Sequence, residues 1–291
     1  MLLLKRMSAL ILAVLLLLGQ ALADETVLVD EEGGHWRYEN EGLTIEINRR
    51  EDKDAVLVWY EAELWCSPEN PLFTVLTNVE RPGRSFQSPE TISRKNKLVF
   101  AISDDFFGFR TYNNKTIGVV IRQGQLVSAK TNKKSGTQVP NLDTMAFYPD
   151  GSAKVHACNE VTAEEYVAEG AVNVLAFGPI LIRDGEINPL LSEAFKAREP
   201  RVGIGMIEPH HYAVVLVEGR RKNSNGSNCL FLAEKLEKMG AVQAMNLDGG
   251  QTSAMMFMGE KVNRMGKVGE SYKARNISGM IAAGKSPQVP D

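Results

Sequence analysis

Cysteine is scarce in this chain of 291 residues: Cys66, Cys158 and Cys229 are its full complement. Three thiols allow one bridge at most, so a disulfide scaffold is excluded, and their separations fit no zinc pattern. Cys229 falls in an apolar helical stretch, where a small buried hydrophobe is expected, and no catalytic cysteine is assigned. Also missing are a Gly-x-Ser-x-Gly elbow, a phosphate-cradling glycine loop ending in Gly-Lys-Ser/Thr, and a His-Glu-x-x-His pair. Histidine is rare, and His210 and His211 sit between Pro209 and Tyr212 in an expected turn, where they read as surface groups. The formal net charge is only −3, and the basic clusters Arg220-Arg221-Lys222 and Lys133-Lys134 are short. They read as solvated loop charges, so no nucleic-acid partner is expected. Beyond residue 23 no run is long and apolar enough to span a bilayer.

What is present is a globular composition, 44% hydrophobic and 24% charged, which excludes a disordered chain. Lys5 and Arg6 precede an aliphatic run from Ala9 to Leu18, and Ala21-Leu22-Ala23 supplies small residues before Asp24. This is the pattern of a secretory signal cut after Ala23, which predicts a secreted or extracytoplasmic protein with no membrane span once the leader is removed. The short apolar core argues against an uncleaved anchor.

Apolar spacing carries the fold. Residues 24–40 are acidic and polar and read as a loosely ordered lead-in. From Leu43 the chain alternates, with Leu43, Ile45 and Ile47 set against Thr44, Glu46 and Asn48, a half-buried strand. The β-rich run from Val56 to Trp65 pairs back on it. Pro89 favours a short helix, Leu98 to Ile102 is a buried strand, and Gly118 to Val127 is two strands around Gln123-Gly124. Thr162 caps a short helix. The clearest helix opens at Gly226-Ser227, carries Leu232, Leu236 and Met239 on one face, and closes at Gly240. Strands dominate, and the regular strand-helix alternation of a doubly wound fold is missing. The expected class is α+β, with mixed or antiparallel sheets and a few packed helices.

Chemistry concentrates in Asn246-Leu247-Asp248-Gly249-Gly250-Gln251-Thr252-Ser253. An apolar run delivers one carboxylate into a double-glycine turn, and hydroxyls follow. Two readings suit it: an Asp-Gly hairpin turn, or a place where a polar ligand lies against bare backbone. Asp104 and Asp105 end another buried strand and again allow two readings, an Asx turn or acids at the mouth of a site. With Arg122, Arg201 and Arg275 they form a set of carboxylates and arginines at strand ends. Glycoside cleavage works with paired carboxyl groups. When the leaving group is a phosphate, protonation matters less and cationic anchoring matters more. A divalent cation among Asp104, Asp105 and Asp248 is compatible with these residues, although no ligand spacing demands one. No organic cofactor is expected.

Taken in order, these pieces resemble the phosphodiester glycosidase domain family. The matching runs are Ala101 to Gly108, Gly118 to Gly124, Phe177 to Gly185, Arg201 to Gly205, the helix from Ser227, and Asn246 to Ser253. Each is short, but six in one order are specific. The resemblance divides the chain into a leader (1–23), a strand-rich segment (24–97), the family domain (98–283) and a flexible tail (284–291). It implies an exported hydrolase that cleaves a glycosidic bond to a phosphodiester, or a related linkage in envelope or exopolysaccharide glycans, with a sugar-phosphate or polysaccharide as substrate. Asp248 is then the central carboxylate and Asp105 the second acid. Arg201 and Arg275, with Arg122 nearby, hold the anionic group; Gly249 and Gly250 give backbone donors; Thr252 or Ser253 bonds the ligand. The chain departs from the family pattern at Gln251, where a third glycine is usual, and at Thr252, where a serine is. Ser103-Asp104 replaces Asn-Gly, and Gly279 stands where an acid or amide is more common. Gln251 keeps a second class open, a non-catalytic carbohydrate-binding or polysaccharide-assembly protein.

Overall fold

Alternation builds the first four strands. In the computed structural model, which describes residues 25–79, 85–105, 118–130, 142–264 and 275–291, β1 (Thr26–Asp30), β2 (His35–Asn40), β3 (Leu43–Asp52) and β4 (Leu57–Cys66) form an antiparallel meander. The expected leader, the Phe106 to Gly108 part of the strand-end motif and Lys133-Lys134 lie outside the described residues. On β3, Leu43, Ile45 and Ile47 are buried while Thr44, Glu46 and Asn48 are half-buried on the other face. The lead-in expected over 24–40 is instead the strand pair β1–β2. Only Trp36 and Tyr38 of β2 enter the core, too few to mark a strand by pattern. Its polar face is held by cross-strand partners, Arg37 donating to Glu46 at 2.8 Å.

The chain continues through β5 (Phe73–Leu76), α1 (Pro89–Lys95), β6 (Leu98–Ser103), β7 (Gly118–Arg122), β8 (Gln125–Lys130), β9 (Asp143–Phe147), β10 (Ala153–His156) and α2 (Ala163–Ala168). It then forms β11 (Asn173–Phe177), β12 (Ile180–Arg183), β13 (Glu186–Ile187), β14 (Arg201–Glu208), β15 (His211–Val217), α3 (Cys229–Lys238), β16 (Gln243–Leu247), β17 (Met255–Phe257), β18 (Glu260–Lys261) and β19 (Gly279–Lys285). Among the described residues three sheets result. The largest has nine strands in the order β1-β2-β3-β4-β15-β14-β16-β12-β13, and two five-stranded sheets run β10-β9-β11-β7-β8 and β18-β17-β6-β19-β5. Every pairing among them is antiparallel, so the mixed alternative does not occur there. Antiparallel neighbours need turns rather than crossover helices, which is why the helices are few and short and the fold is sheet-rich rather than a balanced α+β.

The strand-rich N-terminal segment is not a separate layer. β4 pairs with β15 from Trp65 opposite His211 to Trp59 opposite Val217, and β5 pairs with β19. The main core gathers Ile45, Leu64, Phe100, Met145, Leu175, Val214, Leu247 and Ile281 from all three sheets. The helices cover outer faces. Leu232, Ala233 and Leu236 of α3 pack on Leu181, Ala213 and Val215. Each helix is capped as its sequence dictates: Ser88 accepts from Thr91 N at 3.1 Å, Thr162 and Glu165 form a reciprocal capping box, and Asn228 accepts from Phe231 N at 2.9 Å. The cap of α3 is thus one residue later than expected, because the Ser227 backbone pairs both ways with Glu199 at 3.0 Å. The tail expected to be flexible is packed: Val289 is buried, and Lys97 donates to its carbonyl at 2.9 Å.

Two expectations follow. A chain beginning at residue 67 would leave β15 without its partner and expose the inner-face residues Tyr212, Val214 and Leu216, so it should be recovered aggregated or dye-binding rather than folded; soluble yield and near-ultraviolet dichroism check this. His156 Nδ1 lies 2.8 Å from the Tyr166 hydroxyl, and burial pushes the imidazole below its usual range. The unfolded chain then binds the extra proton first, so stability falls as pH drops below about 6.5 and is unaffected by this group well above it. His156→Gln should flatten the loss of Tm between about pH 7 and 5 relative to the parent.

Candidate active site

The ends of three fully buried strands, β6, β7 and β16, are joined by hydrogen bonds and an ion pair. β6, in the third sheet, ends at Ser103 and turns through Asp104 and Asp105; β16, in the first, ends at Leu247 and turns through Asp248. Main-chain bonds stitch the two turns: Asp248 N donates to Asp104 O at 3.2 Å, and Ser103 N donates to Ala254 O at 3.1 Å. The turn after Asp248 is therefore not a hairpin. It is a short 3-10 turn, Gly250–Thr252, that carries the chain from the first sheet into β17 of the third.

The second sheet enters through Arg122, at the end of β7. Its guanidinium is 5% exposed, pairs through Nη2 with Asp105 Oδ1, and lies 3.7 Å from Asp104 Oδ2. Nη1 donates to Val174 O at 2.7 Å and Ile121 O at 3.1 Å. The other oxygen of Asp105 accepts from Ala176 N at 2.6 Å. Asp105, expected to be a second acid facing substrate, thus has both carboxylate oxygens bonded inside the protein and is 1% exposed. Arg122, expected near the anionic group, is its buried partner. Asp104, read from the sequence as an Asx-turn residue, an acid at the mouth of a site or part of a cation site, lies against Gly279, where a Cβ would stand 2.6 Å from Asp104 Oδ2. A side chain at 279 would meet both this carboxylate and the Val75 carbonyl, the latter 2.8 Å from the Cβ position.

Around Asp248 the floor is backbone. A Cβ on Gly249 would stand 2.5 Å from Pro200 O, so no other residue fits without moving the main chain. Gly250 N donates to that same carbonyl at 2.8 Å, which removes it from the expected set of free donors. Thr252 Oγ1 bonds Gly249 O at 2.5 Å and locks the turn rather than facing a ligand. Among the described residues, two buried polar atoms near this turn in the chain have no hydrogen-bond partner, Ser253 Oγ and Asn246 Oδ1. Asn246 is fixed by its Nδ2, which donates to Gly178 O at 2.8 Å. Buried polar groups are normally paired, so such atoms mark where a ligand would be met.

The arginines divide. Arg201 turns away from the turn and donates to Ser227 O at 3.3 Å and Ala197 O at 3.0 Å. Arg275 comes to the turn through its main chain, its N donating to Gln251 O at 3.0 Å. Arg220, read from the sequence as a solvated loop charge, is brought over Gly250 by the loop after β15 and is paired with Glu199 at 2.7 Å. Nothing in its local spacing signals this; the pairing of β14 with β15 does it. Among the described residues no group of three or more His, Cys, Asp or Glu side chains is arranged to hold a metal ion. A separate groove of about 630 Å³, bordered by Arg49, Tyr60, Glu218 and Arg264, includes none of Asp105, Asp248 or the glycine turn.

Arg122→Met should cost about 3–5 kcal/mol in chemical denaturation, because it strands a buried carboxylate. Asp105→Asn, which keeps an acceptor for Ala176 N, should cost clearly less; equal losses would mean the charge is immaterial.

Comparison with known proteins fits this architecture. The model of the phosphodiester glycosidase family matches residues 96–283. An uncharacterized protein, YomE, derived from the SPbeta prophage of Bacillus subtilis is 26% identical over 178 residues, which is 60% of this chain and only 27% of that relative. The chain therefore spans about a quarter of that relative's length. Among solved structures, the zebrafish N-acetylglucosamine-1-phosphodiester alpha-N-acetylglucosaminidase catalytic domain, auto-inhibited by its pro-peptide, superposes with a TM-score of 0.67 at 16% identity, covering 85% of each chain. A putative exported protein from Burkholderia pseudomallei gives 0.57 at 13% identity, over 78% of this chain and 74% of that one. These two likenesses concern the fold. The family match covers most of the chain in one continuous span and includes both strand-end acids and the double-glycine turn, and on that ground the chain belongs to the phosphodiester glycosidase family.

Proposed function

We propose that this protein is an exported hydrolase that cleaves a glycosidic bond to a phosphodiester, or a related sugar linkage in envelope or exopolysaccharide glycans. The family is one of glycosidase-type hydrolases, and a sugar-phosphate substrate follows from it. The observation that carries the reading is the company kept by Asp248. Asp248 follows β16 two residues after Asn246 and opens the turn that runs to Ser253; Asn246 Oδ1 and Ser253 Oγ are buried and, among the described residues, without a hydrogen-bond partner, and Gly249 of the turn packs on the Pro200 carbonyl. A sugar ring offers hydroxyls that suit such atoms.

The chemistry then divides by charge. Departure of a phosphodiester oxygen needs little protonation, so the demand falls on stabilising positive charge at the sugar carbon and on activating water. Asp248 is the residue for that work. Asp105, bonded at both oxygens, acts through Arg122 and Asp104 as a positioning residue. The leader over 1–23 supports export, since a glycan of the cell envelope is met only outside the cytoplasm.

Purified protein should release free sugar from a sugar-1-phosphodiester. Asp248→Asn should lower the rate by at least about 100-fold with Tm held within a few degrees. Background release from both proteins, with glycan still bound, would favour the binding-protein reading raised by Gln251.

A further inference from the structure

We propose that Arg220 is the specificity-determining cation of this site, the group that receives the phosphate of the substrate; the inference rests on the phosphodiester reading above. Four observations lead to it. First, position: a Cβ on Gly250 would stand 3.5 Å from Arg220 Nη2 and 3.6 Å from Nη1, so the guanidinium lies directly over the glycine turn. Gly250 itself has a φ of +65°, the left-handed region that favours glycine, and a Cβ there would only touch the guanidinium at van der Waals distance.

Second, orientation: Nε and Nη2 both meet one oxygen of Glu199, at 2.8 and 2.7 Å, which fixes the plane of the fork and leaves Nη1 outside the pair. The side chains are 35% and 37% exposed, so the pair is at the rim and open to a ligand. Arg220 also has a backbone φ of +57°, an uncommon conformation for a residue with a side chain.

Third, the charge nearby is short of cations. Asp104 and Asp105 share the single buried guanidinium of Arg122, and Asp248 is joined to Asp104 through the main chain, its N donating to Asp104 O at 3.2 Å. A phosphodiester approaching Asp248 meets net negative charge unless a cation faces it from the solvent side. Fourth, two of the three arginines expected to supply that cation are engaged elsewhere, Arg122 with Asp105 and Arg201 with the carbonyls of Ala197 and Ser227. A guanidinium fork with a remaining N–H suits a phosphate oxygen, whereas an uncharged leaving group gains nothing from it.

The test compares two substrates of one sugar, a 1-phosphodiester and a neutral aryl glycoside, and adds a binding titration with the hexose 1-phosphate. Arg220→Gln should raise KM for the phosphodiester and Kd for the hexose 1-phosphate by about 10- to 100-fold, and leave the aryl glycoside within about twofold. Arg220→Lys should recover part of the loss. Glu199→Gln removes the competing carboxylate and should tighten phosphate binding while Tm reports that the loop remains folded. Equal losses on both substrates, or no change in either KM or Kd, overturns the proposal. If the parent cleaves neither substrate, the hydrolase reading fails by itself. The titration still decides for Arg220, since loss of hexose 1-phosphate binding in Arg220→Gln supports it and unchanged binding overturns it.

Discussion

A guanidinium buried between carboxylates from another sheet is the constraint on which the rest of this structure depends. Arg122 belongs to the second sheet, Asp105 leaves the third, and the carbonyl of Asp104 carries the connection to Asp248 in the first. Apolar side chains of the same volume could fill that junction, and buried ion pairs often add little net stability over such a filling. They could not, however, fix a direction. The Ala176 amide and the Arg122 fork each take one oxygen of Asp105, which sets the turn at 104, and the backbone of Asp248 rests on that turn. Register along each strand is already specified by its buried face; the charge pair instead ties the ends of strands from different sheets to one another.

The sequence was most legible where one residue's neighbours along the chain determine its state. The alternation of β3, the short helix at Pro89, the cap at Thr162 and the turn at Gln123-Gly124 are local and correctly anticipated. β1 and β2 were not, since they are strands by virtue of what they pair with. The double-glycine turn was visible as a place where something unusual happens. Whether it joined two strands of one sheet or of different sheets was not.

The arginines mark the limit most clearly. From the sequence Arg201 and Arg220 differ only in company, one preceding a glycine-rich strand and the other beginning a basic cluster. In the fold, carbonyls of Ala197 and Ser227 claim the first, and a return of the chain delivers the second to the turn. An arginine's role follows from which acceptors lie within reach of its fork, and those come from distant parts of the chain. The tail shows the same rule in milder form, its composition polar but its Val289 seated in a gap that only tertiary structure creates.

The approach of Gly249 to the Pro200 carbonyl has a consequence for how such a protein diverges. Both surfaces of that contact are peptide groups, common to every amino acid, so the floor beneath Asp248 is insensitive to nearly all substitution except at the glycine itself. The rim is made of side chains and is free to drift. A change at the rim can therefore alter what the turn meets from solvent without disturbing the few main-chain atoms on which Asp248 rests.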